Sequence, residues 1–363
     1  MRRRVPALIG GAVAAATAAA AAGVAFERHS VSRQRARIDA RTAARFGALP
    51  VDRESVVVTE DGLALYVEEV GPLNAPLTVV FVHGFTLNLG SFHFQRIALS
   101  DAFGDRIRMV FYDQRSHGRS GHSDSKYCTL EQLGRDLNSV IEARMPVGPI
   151  VLVGHSMGAM AVMEFARQFP TLLRSSAGKP KGRTKKSRIS AIALINTSAG
   201  QLRTVTLGLP NVVARLRGPV VPIVLRRAAR SVHLVERGRA LGKDLAWVMT
   251  KRLSFGSPDV DPAVVDYAAA MIAATPVDVV SDFYSTLMDH DGTEGVERLA
   301  GCEVLLIGGT KDTLTPISHT EAIAAALPKS ELIMVEDAGH LLMLEKPESV
   351  DGPLIALIES QCA

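Results

Sequence analysis

A chain of 363 residues, 47% apolar and 21% charged, can bury a large core, which excludes a wholly disordered protein. Its formal charge of +4 gathers in residues 1–45 and in a run near position 180, neither interleaved with aromatics, which argues against a nucleic-acid partner. Cys128, Cys302 and Cys362 are odd in number and widely spaced, so neither a metal site nor a disulfide framework is expected.

Residues 1–45 read as a signal or membrane-anchor segment with a basic flank. Arg2, Arg3 and Arg4 precede an uncharged run from Val5 to Phe26, and Glu27, Arg28, Arg33, Arg35 and Arg37 follow it. As a helix that run would reach about 33 Å, enough to cross a hydrocarbon core. Ala and Gly dominate it, so its hydrophobic gain is small. An uncleaved anchor, a cleaved secretory signal and an Ala-rich helix lying on protein all stand open. Membrane association through residues 5–26, or export, is the expectation. Arginines flank both ends, so a cytoplasm-facing anchor is equally consistent with the charge pattern.

From Ser55 onward, short β-rich runs alternate with helical patterns, the signature of a mostly parallel sheet flanked by crossover helices. Strands are expected at 55–58 and 63–70 around the turn pair Asp61-Gly62, then at 77–82, 106–112 and 149–153. Further strands are expected at 189–195, 304–307 and 331–335. Helices are expected at 130–144 and 159–169, and a last one after Pro347. Arg174 to Arg188 holds seven Lys or Arg and no acid, and reads as an exposed loop, with anionic lipid headgroups as the sharper alternative. Residues 197–292 are rich in helical patterns but poor in strands, and read as a helical cap inserted before the strand at 304–307, which leads to an acid, Asp312. The catalytic core is then 46–196 with 293–363.

Three loops at strand ends carry the chemistry. Gly154-His155-Ser156-Met157-Gly158 stands between a strand and a helix, where a sharp turn leaves no room for side chains beside Ser156 and exposes its hydroxyl. A serine needs a base oriented by a carboxylate. Asp312 follows the strand at 304–307 and His340 the strand at 331–335, both on the rim that carries Ser156. Backbone amides of Phe85 and Met157 are the expected oxyanion donors. His83 reads as a structural histidine, and Asp113 with Arg115 as a turn-stabilising pair.

On His83-Gly84-Phe85, Asp113 to Ser120, Gly154 to Gly158, Gly308 to Asp312 with Pro316, and Gly339-His340 with Glu345-Lys346-Pro347, the chain resembles the α/β-hydrolase superfamily. It is most similar to the branch of bacterial esterases and cofactor-free haloperoxidase-like enzymes that also resembles epoxide hydrolases. One departure is Ser116, where the family's Asp-x-Arg-Gly loop has glycine. The resemblance implies an α/β-hydrolase fold, no cofactor, and a serine hydrolase acting through an acyl-enzyme on a small or lipophilic ester-like substrate. A cofactor-free perhydrolase or haloperoxidase, and a non-catalytic binding protein on the same scaffold, are the alternatives. Apolar cap residues such as Leu207, Val212, Val220 and Ile223 suit a lipophilic group, or simply the cap's own core. No sequence feature fixes an oligomeric state.

Overall fold

The computed structural model describes residues 46, 49–145, 147–173, 188–205 and 246–362. The expected anchor at 5–26, the basic loop at 174–188 apart from Arg188 at its end, and the apolar cap residues at 207–225 lie outside the described residues. Eight strands form one sheet in the order β1-β2-β4-β3-β5-β6-β7-β8. These are β1 Arg53–Val58, β2 Ala64–Val70, β3 Leu77–Val82, β4 Ile107–Tyr112, β5 Ile150–His155, β6 Ile189–Ile195, β7 Glu303–Gly309 and β8 Glu331–Val335. The β1–β2 and β2–β4 pairs are antiparallel and every other pair is parallel. This is the α/β-hydrolase fold.

The local chemistry accounts for the elements. Asp61-Gly62 closes the β1–β2 hairpin, with Gly62 at φ +81° and the Thr59 amide donating to the Leu63 carbonyl over 2.9 Å. Strands β3, β4 and β5 are buried along their whole lengths, because helices cover both faces of the sheet. Those helices are α1 His93–Phe103, α2 Leu130–Arg144, α3 Met157–Gln168, α4 Pro262–Ala274, α5 Val277–Met288, α6 Thr293–Arg298, α7 Ile317–Ala326, α8 Leu342–Glu345 and α9 Glu348–Cys362. Residues 246–254 are also helical. Thr129 caps α2 by accepting from the Gln132 amide, and Asp261 caps α4 by accepting from the Ala263 amide, with Pro262 at the first helical position. One apolar cluster lies on each face of the sheet.

Chain order and sheet order diverge at β3, which has β4 on one side and β5 on the other. Loops leaving β3 and β5 therefore diverge at their carboxyl ends and open a crevice there. Helices 246–254, α4 and α5 all lie between β6 and β7 in the chain. The segment leaves and rejoins the core side by side, with Gly200 bridged to Asp291 and the Gly292 amide donating to Ala199 over 2.8 Å. No single helix among the described residues is long and apolar enough to cross a membrane.

Asp113 and Arg115 do not pair with each other, but each stabilises a turn. The Asp113 carboxylate accepts from the Leu89 and Arg119 amides at 2.8 and 2.7 Å. Fully buried Arg115 grips Asp136 at 2.6 and 2.7 Å and reaches Asp61 at 3.0 Å. Ser116 adopts φ +63°, which is why glycine is the ordinary residue there; its hydroxyl accepts from the Ser123 amide at 2.9 Å and helps hold that conformation. Removing Arg115 would leave Asp136 buried without its cation. Arg115→Ala is expected to cost about 3–5 kcal/mol in urea unfolding. A loss below about 1 kcal/mol would show that the pair contributes little.

Candidate active site

Ser156 stands between β5 and α3 with φ +51° and ψ −119°. A residue held in such a region costs roughly 1–3 kcal/mol, so its surroundings must impose it. Two glycines permit the turn. A Cβ on Gly154 would sit 2.6 Å from the Ala159 Cα, and one on Gly158 would collide with the Val82 carbonyl oxygen at the end of β3. Helix α3 is buried on every side from Met157 to Ala166, so the elbow cannot relax outward.

His340 bridges the other two expected residues. Its Nε2 lies 2.9 Å from the Ser156 Oγ, and its Nδ1 lies 2.7 Å from the Asp312 Oδ2. With Nδ1–H donating to the carboxylate, Nε2 is left to accept from the hydroxyl. The Asp312 carboxylate is fully engaged. Its Oδ1 accepts from the Leu314 and Thr315 amides at 2.8 and 2.9 Å, and its Oδ2 also accepts from the Thr315 hydroxyl at 2.8 Å. Ser156, Asp312 and His340 are all buried.

Phe85 and Met157 occupy the expected positions, just after β3 and at the first residue of α3. The Phe85 ring packs against His117 and against Phe283 of α5, with ring centroids 5.8 and 6.0 Å away. Gly84 is required because a Cβ there would lie 2.6 Å from the His155 Nδ1. His83 is structural, as expected: its Nδ1 donates to the Gly84 carbonyl at 2.8 Å and its Nε2 accepts from the Gln114 amide at 2.9 Å.

Four contributors escaped the sequence reading: Thr315, His155, Asn196 and Glu345. His155 donates through Nε2 to the His340 carbonyl at 2.9 Å. The Asn196 amide group donates to the Gly339 and His340 carbonyls at 2.7 and 2.8 Å. Glu345 accepts from the amides of Gly339, Gly256 and Ser257 at 2.7, 2.9 and 2.6 Å, which ties the His340 loop to the stretch after helix 246–254. Thr315 stands three residues after Asp312 and Glu345 belongs to a recognised block, so each carried a faint signal. His155 stands inside the Gly154–Gly158 block but carried no sign of this role, and Asn196 carried none beyond its place at a strand end.

A cavity of about 600 Å³ opens beside the Gly200–Asp291 junction, lined by Ser198, His290, His319 and Ala322 among others. None of Ser156, Asp312 or His340 lines it. The hydrogen-bonded constellation of Ser156, His340 and Asp312, and not the cavity, is the candidate reactive centre. No cluster among the described residues could hold a metal ion.

Fold and site together define an α/β hydrolase, and the family model described as "alpha/beta hydrolase fold" matches residues 78–347. The chain belongs to that family. It is 26% identical over 275 residues to the sn-1-specific diacylglycerol lipase ABHD11 of Mus musculus, covering 74% of this chain and 77% of the relative. It is 25% identical over 279 residues to an uncharacterised protein of Mycobacterium tuberculosis, covering 74% and 71%. Among solved structures, an esterase from Thermogutta terrifontis superposes with a TM-score of 0.63 at 24% identity, covering 86% of this chain and all of that one. A bromoperoxidase from Bacillus anthracis superposes at 0.61 and 17% identity, covering 85% of this chain and all of that one. The two structural likenesses establish the fold.

Burial keeps the histidines around the site neutral. It pushes His83 down to about 4 and His117 to about 3, and it holds His155 well below the usual imidazole range, the neighbouring His340 adding to the shift. Below about pH 6.5 the unfolded chain takes up protons on these rings and the folded chain does not, so each ring's contribution to stability falls with pH. Asp113 and Asp351, raised by burial to about 6, act in the opposite direction. The ring of His117 lies among Phe85, Phe283 and His83 and donates through Nδ1 to the Arg115 carbonyl at 2.8 Å, a bond that a phenyl group forfeits at every pH. The difference in Tm between wild type and His117→Phe, in which both aspartates cancel, should therefore shift in the variant's favour between pH 7 and pH 4.5. A difference independent of pH would contradict the neutral assignment.

Proposed function

We propose that this protein is a serine hydrolase that cleaves a carboxylic ester through an acyl-enzyme, with Ser156 as nucleophile, His340 as base and Asp312 as its orienter. The observation that carries the reading is the His340 ring, within hydrogen-bond reach of the Ser156 hydroxyl at 2.9 Å and of the Asp312 carboxylate at 2.7 Å. In the proposed reaction the Ser156 Oγ attacks the ester carbonyl while the His340 Nε2 takes its proton. The oxyanion collects hydrogen bonds from the Phe85 and Met157 amides, aided by the positive end of α3. His340, held as imidazolium by Asp312, returns the proton to the departing alcohol. Water then enters by the same base, releases the acid and restores Ser156. Atoms balance as ester plus water giving acid plus alcohol, with no redox step and no cofactor.

We assign residues 197–292 to a cap that shapes the substrate side. Phe283 of α5 against Phe85 places an apolar ring beside the proposed oxyanion loop, which suits a lipophilic acyl or alcohol group. The mouse relative's name, a diacylglycerol lipase, points the same way. We also propose that the run at 5–26 brings the chain to a membrane, where such esters concentrate. Fractionation of the full chain tests this: recovery wholly in the soluble fraction, unprocessed, would contradict it.

A panel of p-nitrophenyl esters of increasing chain length tests activity and acyl preference together. Ser156→Ala should lower turnover by on the order of 10⁶-fold with the fold intact, and a fluorophosphonate should label the wild type at Ser156. Near-normal turnover by the variant, or labelling elsewhere, would sink the assignment. Peroxide-dependent halogenation without ester turnover would point to a perhydrolase instead.

A further inference from the structure

Asn196 sits at the end of β6, between the strand ends that carry Ser156 and Asp312. It is buried, and it holds φ +43°, a left-handed conformation that asparagine tolerates better than most side chains. Every hydrogen-bonding position of its side-chain amide that the fold uses is directed at the site. Nδ2 donates to the Gly339 and His340 carbonyls at 2.7 and 2.8 Å, and Oδ1 accepts from the Gly309 amide at 2.8 Å. Its own backbone amide donates to the Ile307 carbonyl at 2.8 Å. Gly309 leads into the Asp312 loop, and Gly339 precedes the base. One side chain therefore fixes the base loop against the acid loop. The His340 carbonyl receives a second buried donor from the His155 Nε2 at 2.9 Å, so its peptide is held from two sides.

We infer that Asn196 is a positioning residue: it sets where the His340 imidazole stands between Ser156 and Asp312. This rests on the reading of those three residues as the catalytic set. It also goes beyond that reading, because Asn196 touches neither the substrate nor the reacting hydroxyl. The chemistry of the amide explains why asparagine is needed. Two carbonyls must be met by a donor and one peptide N–H by an acceptor, and only a carboxamide offers both in this plane. An aspartate has the same shape but no donors when ionised. It would set a carboxylate against two carbonyl oxygens, in a pocket where burial favours the protonated form. The ionisable groups on the strand ends around position 196 are His155 on β5, Asp312 after β7 and His340 after β8. A carboxylate there would push the His340 peptide away and add negative charge beside the base.

Asn196→Asp and Asn196→Ser separate positioning from plain structural support. Turnover of p-nitrophenyl acetate is compared with wild type from pH 5.5 to 9, with the rate of fluorophosphonate labelling at Ser156 as a measure independent of substrate fit. At pH 8, Asn196→Asp should lose about 100-fold in kcat, the scale of a misplacement near 1 Å, with KM within about twofold. Its deficit relative to wild type should shrink as pH falls and the new carboxyl protonates. Asn196→Ser keeps one donor and adds no charge, so it should lose less and show a ratio to wild type that does not vary with pH. Labelling rates should follow kcat. In the wild type, the downfield proton resonance of the His340 Nδ1–H shared with Asp312 should be sharp, and in Asn196→Asp at pH 8 it should move or broaden. Equal kcat, labelling and proton signal in a folded Asn196→Asp would overturn the proposal. Failure of both variants to fold would overturn it too, by making Asn196 a folding determinant. If wild type itself resists the fluorophosphonate at Ser156, the catalytic reading fails first, and the proton resonance still reports whether Asn196 positions the ring.

Discussion

The whole site depends on one close approach: the end of β3 against the first turn of α3. Gly158 lies so near the Val82 carbonyl that no side chain fits, and this contact holds Ser156 at φ +51°. If that contact opened, the serine would relax, its hydroxyl would leave His340, and α3 would no longer point at the crevice. The fold can hold the strain because α3 is buried on all sides and β3 and β5 are buried along their lengths. A few kcal/mol of local strain is small against a core of that extent.

Around the elbow, the sheet acts as a jig for three loops that share no sequence neighbourhood. Asp312 spends its lone pairs on its own loop's amides, on Thr315 and on His340, so its direction is fixed. The His340 loop has no regular structure of its own and is pinned from outside, by Asn196 and His155 on one side and by Glu345 on the other. His155, the buried histidine that does this work, stays neutral because burial disfavours its charged form. A charge on His155 would compete with the imidazolium that His340 must become during the proposed reaction.

Much of this was legible in the chain. The strands at Leu77–Val82 and Ile189–Ile195 fell where apolar runs placed them, because strands between helical layers need apolar residues on both faces, and Glu331–Val335 fell in place at the sheet edge, where only Val335 is buried. The three residues that meet at the site could be named from their loops, since this strand-loop grammar ties chemistry to strand ends. Helix α1, His93–Phe103, was not legible: its buried positions include His93, Gln95 and Arg96, which erase the apolar period. Gln95 donates to Asp351 and Arg96 to Glu68, partners far off in the chain. Asn196 and His155 were hidden for the same reason, as they meet His340 from 144 and 185 residues away. Local pattern reads burial well, and it cannot read a hydrogen bond whose partner only the fold supplies.

The central claim is that Ser156 carries the acyl group, and intact-protein mass spectrometry tests it most directly. The full chain, mixed with p-nitrophenyl acetate and quenched within the first turnovers, should gain one acetyl group per chain, mapped by peptide analysis to Ser156. Release of p-nitrophenol should show a burst of matching size wherever deacylation is slower than acylation. Steady hydrolysis with no adduct trapped even at low temperature, or an acetyl group on any residue other than Ser156, would contradict the account.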